Sequence, residues 1–163
     1  MKISIDFGIT TTDIIINSNS KLNHYMFPSI NNEDPITIVK KIIKNLNLKV
    51  NHVEKFILTG GHHFKIKNSI FNIPVVHINE IDAIGTGGLY LSKVKSNSKI
   101  LVVSTGTGTA CVSIKKNKFI HLVGNSVGGG TLIGLSNLLL KTKDPNKVDK
   151  LALKGNFKET DYI

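Results

Sequence analysis

The apolar positions of the chain change period several times, and each change marks an element. KISIDF at 2–7 alternates with the period of two that a half-buried strand requires. DIIIN at 13–17 and HYMF at 24–27 read as a second and a third strand, so the chain is expected to open on an antiparallel meander. From Pro35 the period lengthens: Ile36, Ile38, Val39, Ile42, Ile43 and Leu46 fall on helical spacing. Asp34 is placed to cap that helix, Pro35 fills its first position, and its end is expected near Asn47. EKFILTGG at 54–61 reads as a short buried strand closed by two glycines, and PVVHI at 74–78 as another. A strand after a helix signals an α/β unit. Asn79 suits the cap of a helix running through Ile84 and Leu89. Glycines 85, 87 and 88 each weaken that helix by up to ~1 kcal/mol relative to alanine. They predict close packing on a backbone or a ligand.

The same grammar then returns. SKILVVS, ACVSIKKN and KFIHLVG, from residue 98 onward, form a second meander, and GGGTLIGLSNLLLK a helix that opens on glycines. DPNKVDKLALKG adds a last helix, with Asp144 as cap, Pro145 behind it and Gly155 as its stop. Repetition of meander and helix assigns 1–95 to a first lobe and 96–163 to the start of a second.

Three corners carry more glycine and hydroxyl than a turn needs: DFGITTT at 6–12, GTGT at 106–109 and GGGT at 128–131. Glycine lets backbone N–H groups converge and lets a ligand approach without a Cβ in the way. Such nests bind anions, phosphate above all, and a helix N-terminus at 128–131 adds free amides and a positive dipole end. The order of the three points to a polyphosphate. Asp6 beside the first corner would repel phosphate unless a cation lies between; magnesium fits an oxygen donor set there, an Asx-turn being the other reading.

Charge modifies this picture little. The net charge is +10, and all 21 basic residues are lysine. They are scattered, and without arginine or an aromatic RNA motif they argue against a nucleic-acid partner while drawing in small anions such as ATP. No apolar stretch is long enough to span a bilayer, Asp6 interrupts any export-signal core, and the single Cys111 forms no internal disulfide. A cytoplasmic setting is expected. His62 and His63 lack a chelating spacing, His77 between Val76 and Ile78 reads as a satisfied, partly buried side chain, and Cys111 as inert core. Leu135, Leu138 and Leu139 read as a packing stripe.

IDFGITTTD, LTGG, NEIDAIGTGG, VVSTGTGTACV and GNSVGGGTLIGL, in that order, resemble the type II (eukaryotic-like) pantothenate kinases of the actin-like ATPase and sugar-kinase superfamily. The resemblance covers essentially the whole chain and the N-terminal half to two-thirds of a typical member. It implies an α/β, actin-like ATPase (ribonuclease H-like) fold, a first lobe plus an incomplete second lobe. It also implies ATP- and magnesium-dependent phosphorylation of pantothenate, the first step toward coenzyme A. Glu80, in EIDA, takes the position of the general base, although an acid in a helix's first turn also offsets the dipole without any catalysis. Asp6, Phe7, Gly8, Ile9, Thr10, Thr11 and Thr12 would form the first phosphate loop and Gly106, Thr107, Gly108 and Thr109 the second. Gly128, Gly129, Gly130 and Thr131 would line the nucleotide phosphates. An acyl-CoA regulator and a homodimer belong to the same implication.

The chain departs from the family pattern where Ile9 replaces a glycine, where Asp13 replaces a lysine, and where His121 stands in the region of a catalytic arginine, whose catalytic place it could partly fill if protonated. A second reading follows from a different class: a catalytically impaired or incomplete lobe that binds nucleotide or acyl-CoA. A third, an activator of a radical dehydratase, is faintly suggested by ITTTD; a single cysteine is too few for a cluster bridged by cysteine pairs.

Overall fold

In KISIDF the alternation puts Ile3, Ile5 and Phe7 on one face and Lys2, Ser4 and Asp6 on the other, and the structure keeps that division. It is a computed structural model that describes residues 1–29, 33–94, 99–116 and 118–156. β1 (Lys2–Phe7), β2 (Thr11–Ser18) and β3 (Lys21–Pro28) form the expected meander, with β2 beginning two residues earlier than the hydrophobic run suggests. α1 (Pro35–Asn45) follows, its first turn capped by the Asp34 carboxylate, which accepts from Thr37 N at 3.1 Å. Asn47 takes a left-handed conformation (φ 49°) beyond the helix, a position that asparagine tolerates.

β4 (Lys55–Gly60) runs parallel to β1 and brings Asp6 level with Thr59 and Phe7 level with Gly60. β5 (Ser69–Ile70) and β6 (Ile73–His77) form a small hairpin, of which the sequence pattern indicated only the second strand. β6 pairs parallel with β4, so the sheet order is β3-β2-β1-β4-β6-β5. α1 sets Val39 and Ile42 against Ile3, Ile5, Ile14, Phe56 and Leu58, and these side chains make one core.

α2 (Glu80–Ser92) starts from Asn79, whose side-chain oxygen accepts from Ile81 N at 2.8 Å. Two of its glycines make room for side chains rather than for backbone. A Cβ on Gly85 would strike the Phe119 ring, and one on Gly88 the Val102 side chain, while Gly87 faces open space. The helix therefore packs on β7 (Ile100–Thr105) and β9 (Lys118–Asn125), which flank β8 (Thr109–Lys115) in a second sheet ordered β7-β8-β9. Residues 98 and 117 of the second meander lie outside the described residues, as does the 95/96 lobe boundary.

α3 (Gly129–Leu140) and α4 (Pro145–Ala152) complete the chain, and Asp144 caps α4 through Asn146 N at 3.0 Å. Contrary to the packing-stripe reading, Leu135, Leu138 and Leu139 are exposed, Leu139 by 71%. The buried side chain of α3 is Ser136, whose hydroxyl donates to Leu132 O at 2.8 Å. The chain divides into two compact units, Met1–Val102 with Val112–Ile120, and Val103–Cys111 with His121–Ile163. No helix among the described residues is long and apolar enough to cross a membrane.

Candidate active site

In the first unit the site gathers where the parallel strands β1, β4 and β6 end. The register sets Asp6 beside Asp13 on β2 and Thr59 on β4, all on the face turned away from the α1 core. Strand ends can meet this closely because Gly60 has φ +87°, a left-handed conformation, and carries no Cβ. A Cβ there would lie 2.7 Å from both Phe7 N and Phe7 O and would strike the Asp6 carboxylate. Gly61 N donates to Phe7 O at 3.0 Å and ties the second glycine to the same corner.

Asp6 keeps solvent access, but partial burial, and then the charges of Glu80 and Asp13, hold its carboxyl above the ordinary 3.8. That electrostatic coupling puts Glu80, the first residue of α2, in the field of Asp6. Asp13, the departure from the family lysine, faces this cluster; its carboxylate accepts from the Thr11 hydroxyl at 2.9 Å and lies 2.8 Å from His24 Nε2. Thr59 Oγ1, level with Asp6, is buried and has no hydrogen-bond partner among the described residues.

The first corner is shorter than expected. Only Gly8, Ile9 and Thr10 form the turn; Thr11 and Thr12 already belong to β2. A Cβ on Gly8 would come within 2.5 Å of Thr11 O, so the turn requires glycine. Ile9 projects into solvent at 73% exposure. Two of the expected loop residues are corrected. The Phe7 side chain is part of the core, which leaves only its backbone at the corner. Thr12 is 2% exposed and braces the turn: its hydroxyl lies 3.1 Å from Ser29 Oγ, which donates to Gly8 O at 2.7 Å. Ser29, which carried no sequence signal, also donates its amide to Thr10 O at 3.0 Å.

In the second unit the other two corners interlock. A Cβ on Gly128 would fall 2.5 Å from Gly108 O and 2.8 Å from Gly108 Cα, and one on Gly130 would fall 2.9 Å from Thr107 Cα. Gly130 N donates to Gly106 O at 3.3 Å, and the Thr109 hydroxyl to Val127 O at 2.7 Å. The Thr131 hydroxyl donates to Ser126 O at 2.7 Å and accepts from Gly128 N at 3.4 Å, so it caps the helix from within the protein. Several amides of the nest are thus spent on holding its own shape, while those of Gly108 and Gly129 have no acceptor among the described residues. His121 belongs to this unit: a Cβ on Gly124 would lie 3.0 Å from His121 Nε2 and 3.1 Å from Thr109 O. Between α3 and α4 a mainly apolar hollow of about 380 Å³, lined by Gly129, Leu132, Ile133 and Val148 among others, adjoins the helix start.

Histidines that the sequence set aside also meet at the first site. His63 Nδ1 lies 2.9 Å from His77 Nδ1, and Glu80 acts electrostatically on His63. His77 is exposed rather than partly buried. Cys111 is half-buried in β8.

Comparison with known proteins bears on this arrangement at two levels. The Fumble family model matches residues 9–163. A type II pantothenate kinase of Bacillus thuringiensis subsp. konkukian is 31% identical over 163 residues, covering 98% of this chain and 56% of that protein. The chain thus spans little more than half the length of such relatives. Among solved structures, the activator of 2-hydroxyisocaproyl-CoA dehydratase from Clostridium difficile superposes with TM-score 0.65 at 13% identity, over 86% of this chain and 52% of the other. A putative N-acetylglucosamine kinase from Porphyromonas gingivalis gives 0.60 at 15% identity, over 86% and 55%. At such identities these structures establish the fold alone, an α/β fold of the actin-like ATPase and sugar-kinase type. By its family match over nearly the whole length, the chain belongs to the Fumble (type II pantothenate kinase) family.

Proposed function

We propose that this chain carries the phosphoryl-transfer site of an ATP-dependent pantothenate kinase. It moves the γ-phosphoryl of ATP to the primary hydroxyl of pantothenate and so opens coenzyme A synthesis in the cytoplasm. Residues 1–95 serve as the first lobe and 96–163 as the start of the second. The observation that carries this reading is the placement of Glu80 in the field of Asp6 at the ends of β1, β4 and β6. The two carboxylates divide the work. Glu80, exposed at the start of α2, accepts the proton of the attacking hydroxyl. Asp6 would hold magnesium, and the negative charge that Glu80 and Asp13 add around its carboxyl is the donor chemistry that such an ion suits. When bound, the ion offsets the charge of the phosphates. Gly8 and Thr10 in the first unit offer one stretch of backbone to phosphate, Gly108 and Gly129 in the second offer another, and the hollow between α3 and α4 suits a flat apolar base. The Clostridium difficile activator was solved with bound ADPNP, which supports nucleotide binding by this fold.

His121 in the place of an arginine favours a second reading, a lobe that binds nucleotide or acyl-CoA with little turnover. The homodimer remains part of the proposal, with the exposed Leu135, Leu138 and Leu139 as its contact. ADP release separates the readings. Pantothenate-dependent release that falls about a hundredfold or more in Glu80→Gln supports the kinase. Release that ignores pantothenate, or full activity in Glu80→Gln, sinks it.

A further inference from the structure

The path of the chain into Glu80 is held by few contacts. After β6 ends at His77, Ile78 N donates to Leu58 O at 2.9 Å, Asn79 caps, and α2 begins. On its far side β4 leaves through Gly60 and Gly61 into a short turn at His63–Lys65. The one side-chain hydrogen bond joining these two exits among the described residues is His63 Nδ1 to His77 Nδ1, at 2.9 Å with ring centroids 5.1 Å apart. The Phe64 ring packs edge-on against His63 at 5.7 Å.

We propose that His63 and His77 are positioning residues for Glu80: one proton between their Nδ1 atoms clamps the loop after β4 to the end of β6, three residues before the base. The inference rests on the kinase reading for its catalytic consequence, not for the clamp itself. A hydrogen bond between two Nδ1 atoms demands that one carry Nδ1–H and the other a bare Nδ1. Burial and the neighbouring His77 lower the His63 pKa below 6.5, against the opposing pull of Glu80, which keeps this ring neutral at neutral pH. His77 and Glu80 are the titratable groups that act on it.

Three readouts test the clamp. Nitrogen NMR of the full chain should find one of the two rings as the Nδ1–H tautomer. Amide exchange at Ile78 and Ile81 should quicken about tenfold in His63→Ala and His77→Ala, and stay near wild type in His77→Asn, whose amide can occupy the Nδ1 position. With pantothenate and ATP, the alanine variants should lose about tenfold to a hundredfold in kcat at unchanged KM for ATP, and His77→Asn should recover most of it. Two Nε2–H tautomers, or unchanged exchange in both alanine variants, overturn the clamp. Faster exchange with undiminished kcat overturns its role in placing Glu80. A wild-type chain without turnover would refute the kinase reading while the tautomer and exchange results still decide the clamp.

Discussion

Asp6 shows most directly how partial burial and crowded acids burden a residue. Its carboxyl is held above 3.8, so ionising it costs more in the folded chain than in the unfolded one. The sign follows: the cost is absent below about pH 3.8, grows as pH rises through the raised value, and is complete above it. Asp6→Asn should therefore raise Tm at pH 7 in metal-free buffer, with the gain vanishing toward pH 3.8, while abolishing any magnesium-dependent stabilisation by ADPNP. Thermal melts across that range check both halves. Asp6 and Glu80 were legible as candidates because a strand-end carboxylate before a glycine turn and an acid after a capping asparagine are local patterns. Ser29, Thr59 and the His63–His77 contact were not, since each acquires meaning only from strand register or from a partner far along the chain. Thr12 misled for the opposite reason: hydroxyls read alike in sequence, and only the early start of β2 turns this one inward.

At the scale of elements, the glycines of α2 and of the second unit make different claims. Gly85 and Gly88 let a helix lie on a sheet. Gly85→Leu should cost about 1–3 kcal/mol by overpacking. Because the obstacle is the Phe119 ring, Phe119→Ala should restore part of that loss, and a double-mutant cycle in urea measures the coupling. Gly128 is different, since its obstacle is the Gly108 backbone, which no side-chain change can move. Gly128→Val should separate the turn at 106–109 from the start of α3 and weaken ADPNP binding at least tenfold by calorimetry, with no second-site rescue among side chains. The helices and meanders were readable from period and caps. The small β5 hairpin was not, because two residues carry no period, and the partners of the α2 glycines were not, because they lie on later strands.

For the whole molecule, the first unit holds its core in one sheet and one helix, with Phe56 fully buried at the centre; Phe56→Ala should cost about 3–5 kcal/mol in urea denaturation. The second unit spends its order on two glycine corners and leaves the leucines of α3 exposed. Each unit thus has a glycine corner of its own whose backbone can meet an anion. Amide hydrogen exchange with and without magnesium and ADPNP tests this most directly. The expected result is slowed exchange at Gly8–Thr10, Gly108 and Gly129 with a single midpoint in ADPNP concentration, lost in Asp6→Asn. Exchange at those amides that nucleotide leaves unchanged would contradict phosphate binding at these corners.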